Sequence, residues 1–221
     1  VFNRSDTLLI SGAISGTGTL EQAGAGRTTL SADNTYTGGT TISAGALQIG
    51  NGGTTGSIVG GVVNNGDLIF NRSDIYTFGG VVSGSGELVQ AGLGTLVLTG
   101  SNTYAGGTAV EEGTLQISQD ANLGAAAGPL RLSRGTLSTT ADITTSRVTT
   151  LATNGGTFDT LAGTTLTHTG EIAGAGGLTK AGLGMLVLSG TNHYAGPTNV
   201  ASGTLIVNGD QTGAINVTTV A

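Results

Sequence analysis

Short segments in which apolar and polar residues alternate make up much of the chain, and glycine, asparagine or serine separates one segment from the next. In the sequence GTLVLTG, Leu96 and Leu98 stand on either side of Val97. An alternation with a period of two is typical of β-strands that bury one face, and segments of roughly 4–6 residues fit short strands. The pattern therefore predicts an all-β chain of many short strands joined by tight turns.

A longer pattern that contains this segment occurs three times without a gap, at residues 14–50, 82–118 and 172–208. Internal repetition of this kind is typical of solenoids and other repeat architectures. Glycines recur at fixed offsets, which marks backbone that turns with positive φ or lies close to a neighbour. The structural repeat positions, where all copies share a leucine or a tyrosine, include Leu20, Leu88 and Leu178; Leu30, Leu98 and Leu188; and Tyr36, Tyr104 and Tyr194.

The distances between the copies indicate the kind of solenoid. The interval from Tyr104 to Tyr194 is longer than the interval from Tyr36 to Tyr104. The surplus, roughly 20 residues, has the size of one coil of a β-solenoid. We expect this extra coil within residues 119–157. Short strands, tight turns and a coil-sized surplus predict a single parallel β-helix segment over residues 1–221, with about ten coils. Residues 120–127 are expected to form a helical turn or a small loop.

Positions that are fixed across the copies should face the core, and variable positions should face solvent. The leucines expected to be buried are Leu20, Leu30, Leu47, Leu88, Leu96, Leu98, Leu115, Leu178, Leu186, Leu188 and Leu205. The variable position occupied by Arg27, Thr95 and Met185 should be exposed. The asparagine two residues before each repeat tyrosine is expected to form a turn, since asparagine tolerates left-handed backbone and can hydrogen-bond within its own turn. The tyrosine ring itself should pack on a coil edge with its hydroxyl in water.

Composition narrows the class of partner. Glycine accounts for 42 of the 221 residues, about a fifth, whereas ordinary proteins contain about 7%. Charged residues make up only 9%, against about 25% in ordinary proteins. The net charge is −6 and the basic residues are scattered, which disfavours nucleic acid because phosphate binding needs clustered Lys and Arg. The absence of cysteine fits a chain that crosses a membrane unfolded, and equally a low-complexity sequence that never acquired cysteine.

The stretch SGSGELVQAGLGTLVLTGSNTYAGGTAVEEGTLQI closely resembles the passenger-associated β-strand repeat of bacterial autotransporters, the type V secretion family. The resemblance covers all three copies, with departures at Thr28, His193 and Pro197. It implies a right-handed parallel β-helix that is secreted or displayed on the bacterial surface. Export would pass through an outer-membrane barrel of the same polypeptide. Since Val1 lies inside a repeat, we expect the chain to be part of something longer.

Catalytic, cofactor-binding and metal-binding residues are not expected. The two imidazoles are His168, interpreted as outward-facing, and His193, interpreted as a surface or turn residue. No serine lies in a hydrolase motif, and no cysteine or histidine pair is present for zinc. Glu111 and Glu112 are adjacent and should point to opposite faces of a strand, unlike the grouped acids of polysaccharide-cleaving β-helices. The threonines of residues 165–169 resemble an ice-binding face, but threonine also suits any solvated strand.

The repeats and the resemblance together favour a non-catalytic passenger segment that serves in adhesion or self-association. The partner would be a second copy of the chain or a ligand on a host or bacterial surface. The main alternative is an inert stalk that presents a protease, lipase or toxin domain located outside this chain. A remote alternative is a β-helix enzyme that acts on polysaccharides.

Overall fold

The computed structural model describes residues 1–212 and 214–217, and these residues form a parallel β-helix of about ten coils. The strands are short, and each one pairs in parallel with strands of the neighbouring coils. The coils differ in length. A shorter coil takes 19 residues, from Thr28 to its partner Leu47, and a longer coil takes 23 residues, from Thr149 to its partner Ile172. The predicted fold and number of coils are confirmed.

The strands lie on three faces, which the chain visits in the same order in each coil. Face 1 consists of two sheets, one formed by β2 (Leu20–Gln22), β4 (Thr40–Ile42), β6 (Val62–Asn64) and β9 (Val82–Ser83), the other by β16 (Ile143–Thr145), β19 (Thr165–His168), β22 (Met185–Leu188) and β24 (Thr204–Val207). Face 2 consists of β1 (Leu8–Ile10), β3 (Arg27–Leu30), β5 (Ala46–Ile49), β7 (Asp67–Phe70), β10 (Glu87–Gln90), β12 (Thr108–Val110), β14 (Leu130–Leu132), β17 (Thr149–Leu151) and β20 (Ile172–Gly174). Face 3 consists of β8 (Ile75–Phe78), β11 (Thr95–Leu98), β13 (Thr114–Ile117), β15 (Thr136–Thr139), β18 (Gly156–Thr160), β21 (Leu178–Ala181), β23 (Thr198–Val200) and β25 (Ile215–Val217).

The three sequence copies lie on successive faces, because the repeat is not a whole number of coils. Leu20 lies on face 1, Leu88 on face 2 and Leu178 on face 3. From Leu20 the register runs through three coils to Val82, and the next strand brings Leu88 one face further. Equivalent residues of the copies therefore do not stack on one another.

The interval between the second and third copies contains one coil more. From Leu88 the register on face 2 runs through four coils to Ile172, and the next strand again lies one face further, at Leu178. The surplus in the sequence thus corresponds to one additional turn of the helix, since both intervals end with the same one-face advance.

The core consists of the inward side chains of all three faces, which form one continuous cluster along the helix. The leucines predicted to be inside are buried, with the exception of Leu205, which is half-buried. Leu205 lies on β24, the last strand of its sheet, so it lacks a covering strand on one side. Arg27 is exposed as predicted, but Thr95 and Met185 are only half-exposed. Each has a neighbour on both sides in its outward row, Ile75 and Thr114 for Thr95, Thr165 and Thr204 for Met185.

One excursion, at residues 119–129, departs from the regular coil. A short 3₁₀ helix, Asp120–Leu123, occupies the face 1 position between β13 and β14, where either a helical turn or a small loop was expected. Arg147, buried within the helix body, holds this excursion in place. Its guanidinium donates to the Asp120 carboxylate at 2.9 Å and to the carbonyls of Gly124, Ala125 and Gly128 at 2.8, 2.7 and 3.0 Å. Face 1 is consequently interrupted, whereas faces 2 and 3 are continuous.

Candidate functional surface

The repeat asparagines bridge coils through their side chains. Asn34 accepts a hydrogen bond from the backbone N–H of Ile14 at 2.9 Å and donates to the carbonyl of Ser57 at 2.9 Å. Asn102 makes the same pair of contacts, accepting from Val82 at 2.8 Å and donating to the next coil at 2.7 Å. Asn34 also hydrogen-bonds within its own turn, as expected, by donating to the carbonyl of Ala32 at 2.7 Å. It does so without left-handed backbone, since among the described residues only Arg134 combines a side chain with positive φ.

The third copy departs from this arrangement at Asn192. Its amide donates to the carbonyl of Gly190 at 3.0 Å, but its Oδ1 is buried without a hydrogen-bond partner among the described atoms. The N–H that would have served it, on Ile172, donates instead to the carbonyl of Thr191. The third copy is therefore less well satisfied than the first two.

The repeat tyrosines are inside the helix, and the prediction of wet hydroxyls is wrong. The Tyr104 hydroxyl lies 2.7 Å from the hydroxyl of Thr108, four residues later, and Tyr36 lies 2.6 Å from Thr40. Tyr194 makes the equivalent contact with Thr198. Burial raises the pKa of all three phenols. The threonine of the YxGGT or YAGPT segment supplies the partner that allows a polar ring to be buried.

Buried polar side chains also close the turn that follows the first strand of each copy. Gln90 donates to the carbonyls of Gly92 and Gly94 at 2.9 and 3.1 Å, and Gln22 does the same in the first copy. In the third copy Lys180 takes this place, with its ammonium on the carbonyl of Gly182 at 2.8 Å. Burial lowers the pKa of Lys180. The sequence signal for this role was the recurrence of Gln or Lys two residues after Leu20, Leu88 and Leu178.

His168 is buried rather than outward-facing, which corrects the sequence interpretation. Its Nε2 lies 2.8 Å from the hydroxyl of Thr149, and its ring centroid lies 5.8 Å from that of Phe158. Burial lowers the pKa of His168 to about 4. His193 lies on the surface, where Nε2 is 2.8 Å from the carboxylate of Glu171.

The acidic residues considered for chemistry are occupied by ion pairs. Glu111 and Glu112 lie in the turn between β12 and β13, not within a strand. They pair with Arg131 at 2.7 Å and with Arg134 at 3.2 Å. Within residues 1–212 and 214–217, no cluster of three potential ligands is arranged to hold a metal ion, and no helix is long and apolar enough to cross a membrane.

The three faces differ in the chemistry that they present to solvent. The outward residues of face 2 include the charged side chains Arg27, Asp67, Glu87 and Arg131, with Asp67 and Glu87 in adjacent register positions. Burial raises the pKa of Glu87. Face 1 carries the exposed side chain of Val63 beside glycines, but the excursion at residues 119–129 divides it.

Face 3 is the continuous surface with the least charge. Its outward positions form two rows, and the first is dominated by threonine over consecutive coils. The second row consists of Thr77, Val97, Gln116, Ser138, Asp159 and Ala181. Asp159 is the one charged member of the two rows within the described strands, and the Ser138 hydroxyl donates to it at 2.9 Å. A groove with a volume of about 320 Å³, bordered by Thr157, Thr179 and Asn199, runs beside the C-terminal part of this face.

Comparison with known proteins gives a family and a relative. The passenger-associated-transport-repeat family matches residues 20–49, 88–117 and 178–207, inside the three sequence copies. The chain is 47% identical over 137 residues to the adhesin BmaC autotransporter of Brucella suis biovar 1 (strain 1330). That match covers 62% of the chain and 4% of the relative, so the chain corresponds to a small part of the relative's length. No solved structure matches.

Proposed function

We propose that the chain is a repeat-bearing segment of an autotransporter passenger, and that it is an adhesive segment that associates with further copies of itself. As such a segment it is non-enzymatic, and it is secreted or displayed beyond the bacterial outer membrane. The barrel through which it would leave belongs, in this proposal, to the same polypeptide.

The observation that carries the proposal is the long lateral surface of the helix. Rows of outward side chains repeat at the spacing of parallel strands, about 4.8 Å, so that many weak contacts can form side by side. Each contact contributes little, but contacts between many displayed molecules add up through avidity. The name of the relative, an adhesin, agrees with such a role.

Surface display tests the proposal directly. The chain is fused to an outer-membrane anchor in a bacterium that does not aggregate, and settling of a standing culture is followed by optical density. We expect cells that carry the chain to settle, and cells that carry the anchor alone to stay in suspension. Adherence to host cells measured in the same strains separates self-association from binding of a host ligand.

The competing function is an inert stalk. The core of the first two copies, in which the buried asparagines and tyrosines have hydrogen-bond partners, is compatible with that function. A stalk needs a rigid body but no adhesive surface. Cells that display the folded chain, verified by antibody labelling and resistance to protease, would then neither settle nor adhere. That outcome would remove adhesion and leave the presentation of a distant domain as the function of the segment.

A further inference from the structure

Five threonines stand in one straight row on face 3. Register pairs Thr95 with Thr114, Thr114 with Thr136, Thr136 with Thr157, and Thr157 with Thr179. We call these five residues the threonine ladder. All five are half-exposed and point outward, because the leucines or other core residues that follow them on each strand point inward.

The ladder belongs to one face and not to the sequence repeat. The sequence copies advance by one face each time, so the residues equivalent to Thr95 in the other copies, Arg27 and Met185, lie on other faces. Thr114 and Thr179 stand at other positions of the repeat, and Thr136 and Thr157 lie between the copies, yet all five present the same side chain at the same place in the coil. The structure thus reveals a uniform surface that cannot be found by aligning the three copies.

The other two faces are less suited to close contact with an identical surface. On face 2, Asp67 and Glu87 lie in neighbouring register positions, and covering them would remove the water that solvates both carboxylates. Face 1 is divided by the excursion at residues 119–129 into two sheets of four strands. Face 3 has eight strands in one sheet and almost no charge to desolvate.

We propose that the threonine ladder is the contact surface for a second copy of this chain, with the two helices antiparallel and ladder facing ladder. The proposal rests on the self-association proposed above and names the surface that performs it. A two-fold arrangement makes the interface self-complementary, so Thr136, the middle residue of the ladder, lies opposite Thr136 of the second copy. Antiparallel axes are also the orientation in which passengers from two facing cells meet.

The chemistry of threonine suits such a contact. Its hydroxyl both donates and accepts, so that a row of threonines can pair with an identical row in either direction. Cross-strand pairs of threonine stabilise sheets by hydrogen bonds and by contact of their methyl groups. Because both rows have the spacing of about 4.8 Å that parallel strands impose, the rows remain matched over their whole length.

The size of face 3 predicts a weak contact between single molecules. Eight strands about 4.8 Å apart extend over roughly 34 Å, and four residues per strand give a width of roughly 13 Å. The area covered is then about 450 Å² on each partner and about 900 Å² in total, below the roughly 1,200–2,000 Å² of stable complexes. Isolated chains should therefore remain largely monomeric, whereas displayed chains should hold cells together through avidity.

Matched pairs of lysine substitutions test the ladder. Thr136→Lys with Thr157→Lys places two charges at adjacent register positions on face 3. Thr144→Lys with Thr167→Lys places two charges at adjacent register positions on face 1. In the settling measurement we expect the face 3 variant to settle at least about tenfold more slowly than the parent. The two lysines at position 136 face and repel each other, and those at position 157 must lose water against Thr114 of the second copy. The face 1 variant should settle like the parent.

The outcomes separate the two proposals. Settling of the face 3 variant at the parental rate, with both variants folded by circular dichroism and equally displayed, overturns the ladder but leaves self-association intact. Equal loss of settling in both variants also overturns the ladder, since it shows that added charge on any face is sufficient. Failure of the parent itself to settle removes self-association, and the ladder with it.

Discussion

At the scale of single residues, the helix depends on polar side chains that are buried with partners. Tyr104 pairs with Thr108, Asn102 bridges three coils, and Gln90 closes a turn. The third copy has the less favourable versions, with Lys180 in place of a glutamine and an unpartnered Oδ1 on Asn192. The C-terminal part of the helix, which contains the third copy, should therefore be less stable than the N-terminal part.

His168 gives the helix a dependence on acid. Its pKa is about 4 in the folded chain and about 6.5 in an unfolded one, so that the unfolded chain takes up the proton first. The stabilising effect of the neutral ring is complete above about pH 6.5 and is lost as the pH falls towards 4, by about 3 kcal/mol in the free energy of unfolding. We expect His168→Leu to unfold with a smaller loss of stability between pH 7 and pH 4, measured by urea titration at several pH values.

His193→Gln provides the control, since that ring lies on the surface beside Glu171. The comparison separates loss of the buried ring from loss of a histidine in general. Parallel curves for His168→Leu and the parent would show that the buried imidazole does not govern the response to acid.

The sequence contains the information needed to place His168 inside the helix. TLTHT has the same alternation as MLVLS, and His168 stands in the register position of Leu188. The alternation predicts an outward His168 only when the strand is placed one position out of phase, and Leu166, two residues earlier, fixes the inward phase. The partners of the asparagines could not be predicted, because they lie in neighbouring coils whose lengths vary along the helix.

At the scale of elements, the regular strands followed from alternation, whereas the excursion at residues 119–129 depends on a single distant side chain. Arg147 lies more than one coil further along and makes its contacts through one guanidinium. Nothing in the local sequence of residues 119–129 predicts that partner. The row of threonines on face 3 could not be predicted from the sequence repeat either, because it arises from the register of neighbouring coils.

Removal of the Arg147 side chain should destabilise the helix strongly. Arg147→Ala leaves the Asp120 carboxylate without its partner and several carbonyls without a donor, at a cost of about 3–5 kcal/mol in the free energy of unfolding. Arg131→Ala removes only a half-exposed ion pair with Glu111 and should cost less than about 1 kcal/mol. Equilibrium unfolding in urea measures both, and limited proteolysis should cut Arg147→Ala first within residues 119–129. Equal costs for the two variants would contradict this account of the excursion.

At the scale of the whole molecule, coils are interchangeable units, because each contacts mainly its neighbours. Register aligns Phe158 with Lys180, so that deletion of residues 159–180 joins Phe158 to Ala181 in the same position of the coil. The deletion removes one complete coil and should give a folded helix that is about 4.8 Å shorter, measured by circular dichroism and small-angle scattering.

Deletion of residues 159–169 is the matched control. It removes half as many residues, omits the face 1 strand β19 and brings face 2 directly after face 3. That chain should lose its strand signal or its cooperative unfolding. A folded half-coil deletion, or an unfolded full-coil deletion, would show that the coil is not the unit of assembly.

The central claim, that two copies meet through face 3, is tested most directly by cross-linking. The chain has no cysteine, so a single introduced thiol reports one position. We expect displayed chains with Thr136→Cys to be joined by a short bismaleimide that spans about 10 Å, the distance between packed sheets. Thr95→Cys and Thr179→Cys should each fail alone, since in antiparallel ladders like residues lie about 19 Å apart, but they should cross-link when mixed. Cross-linking of Thr144→Cys on face 1 at the rate of Thr136→Cys, or no product from Thr136→Cys in settled cells, would contradict the account.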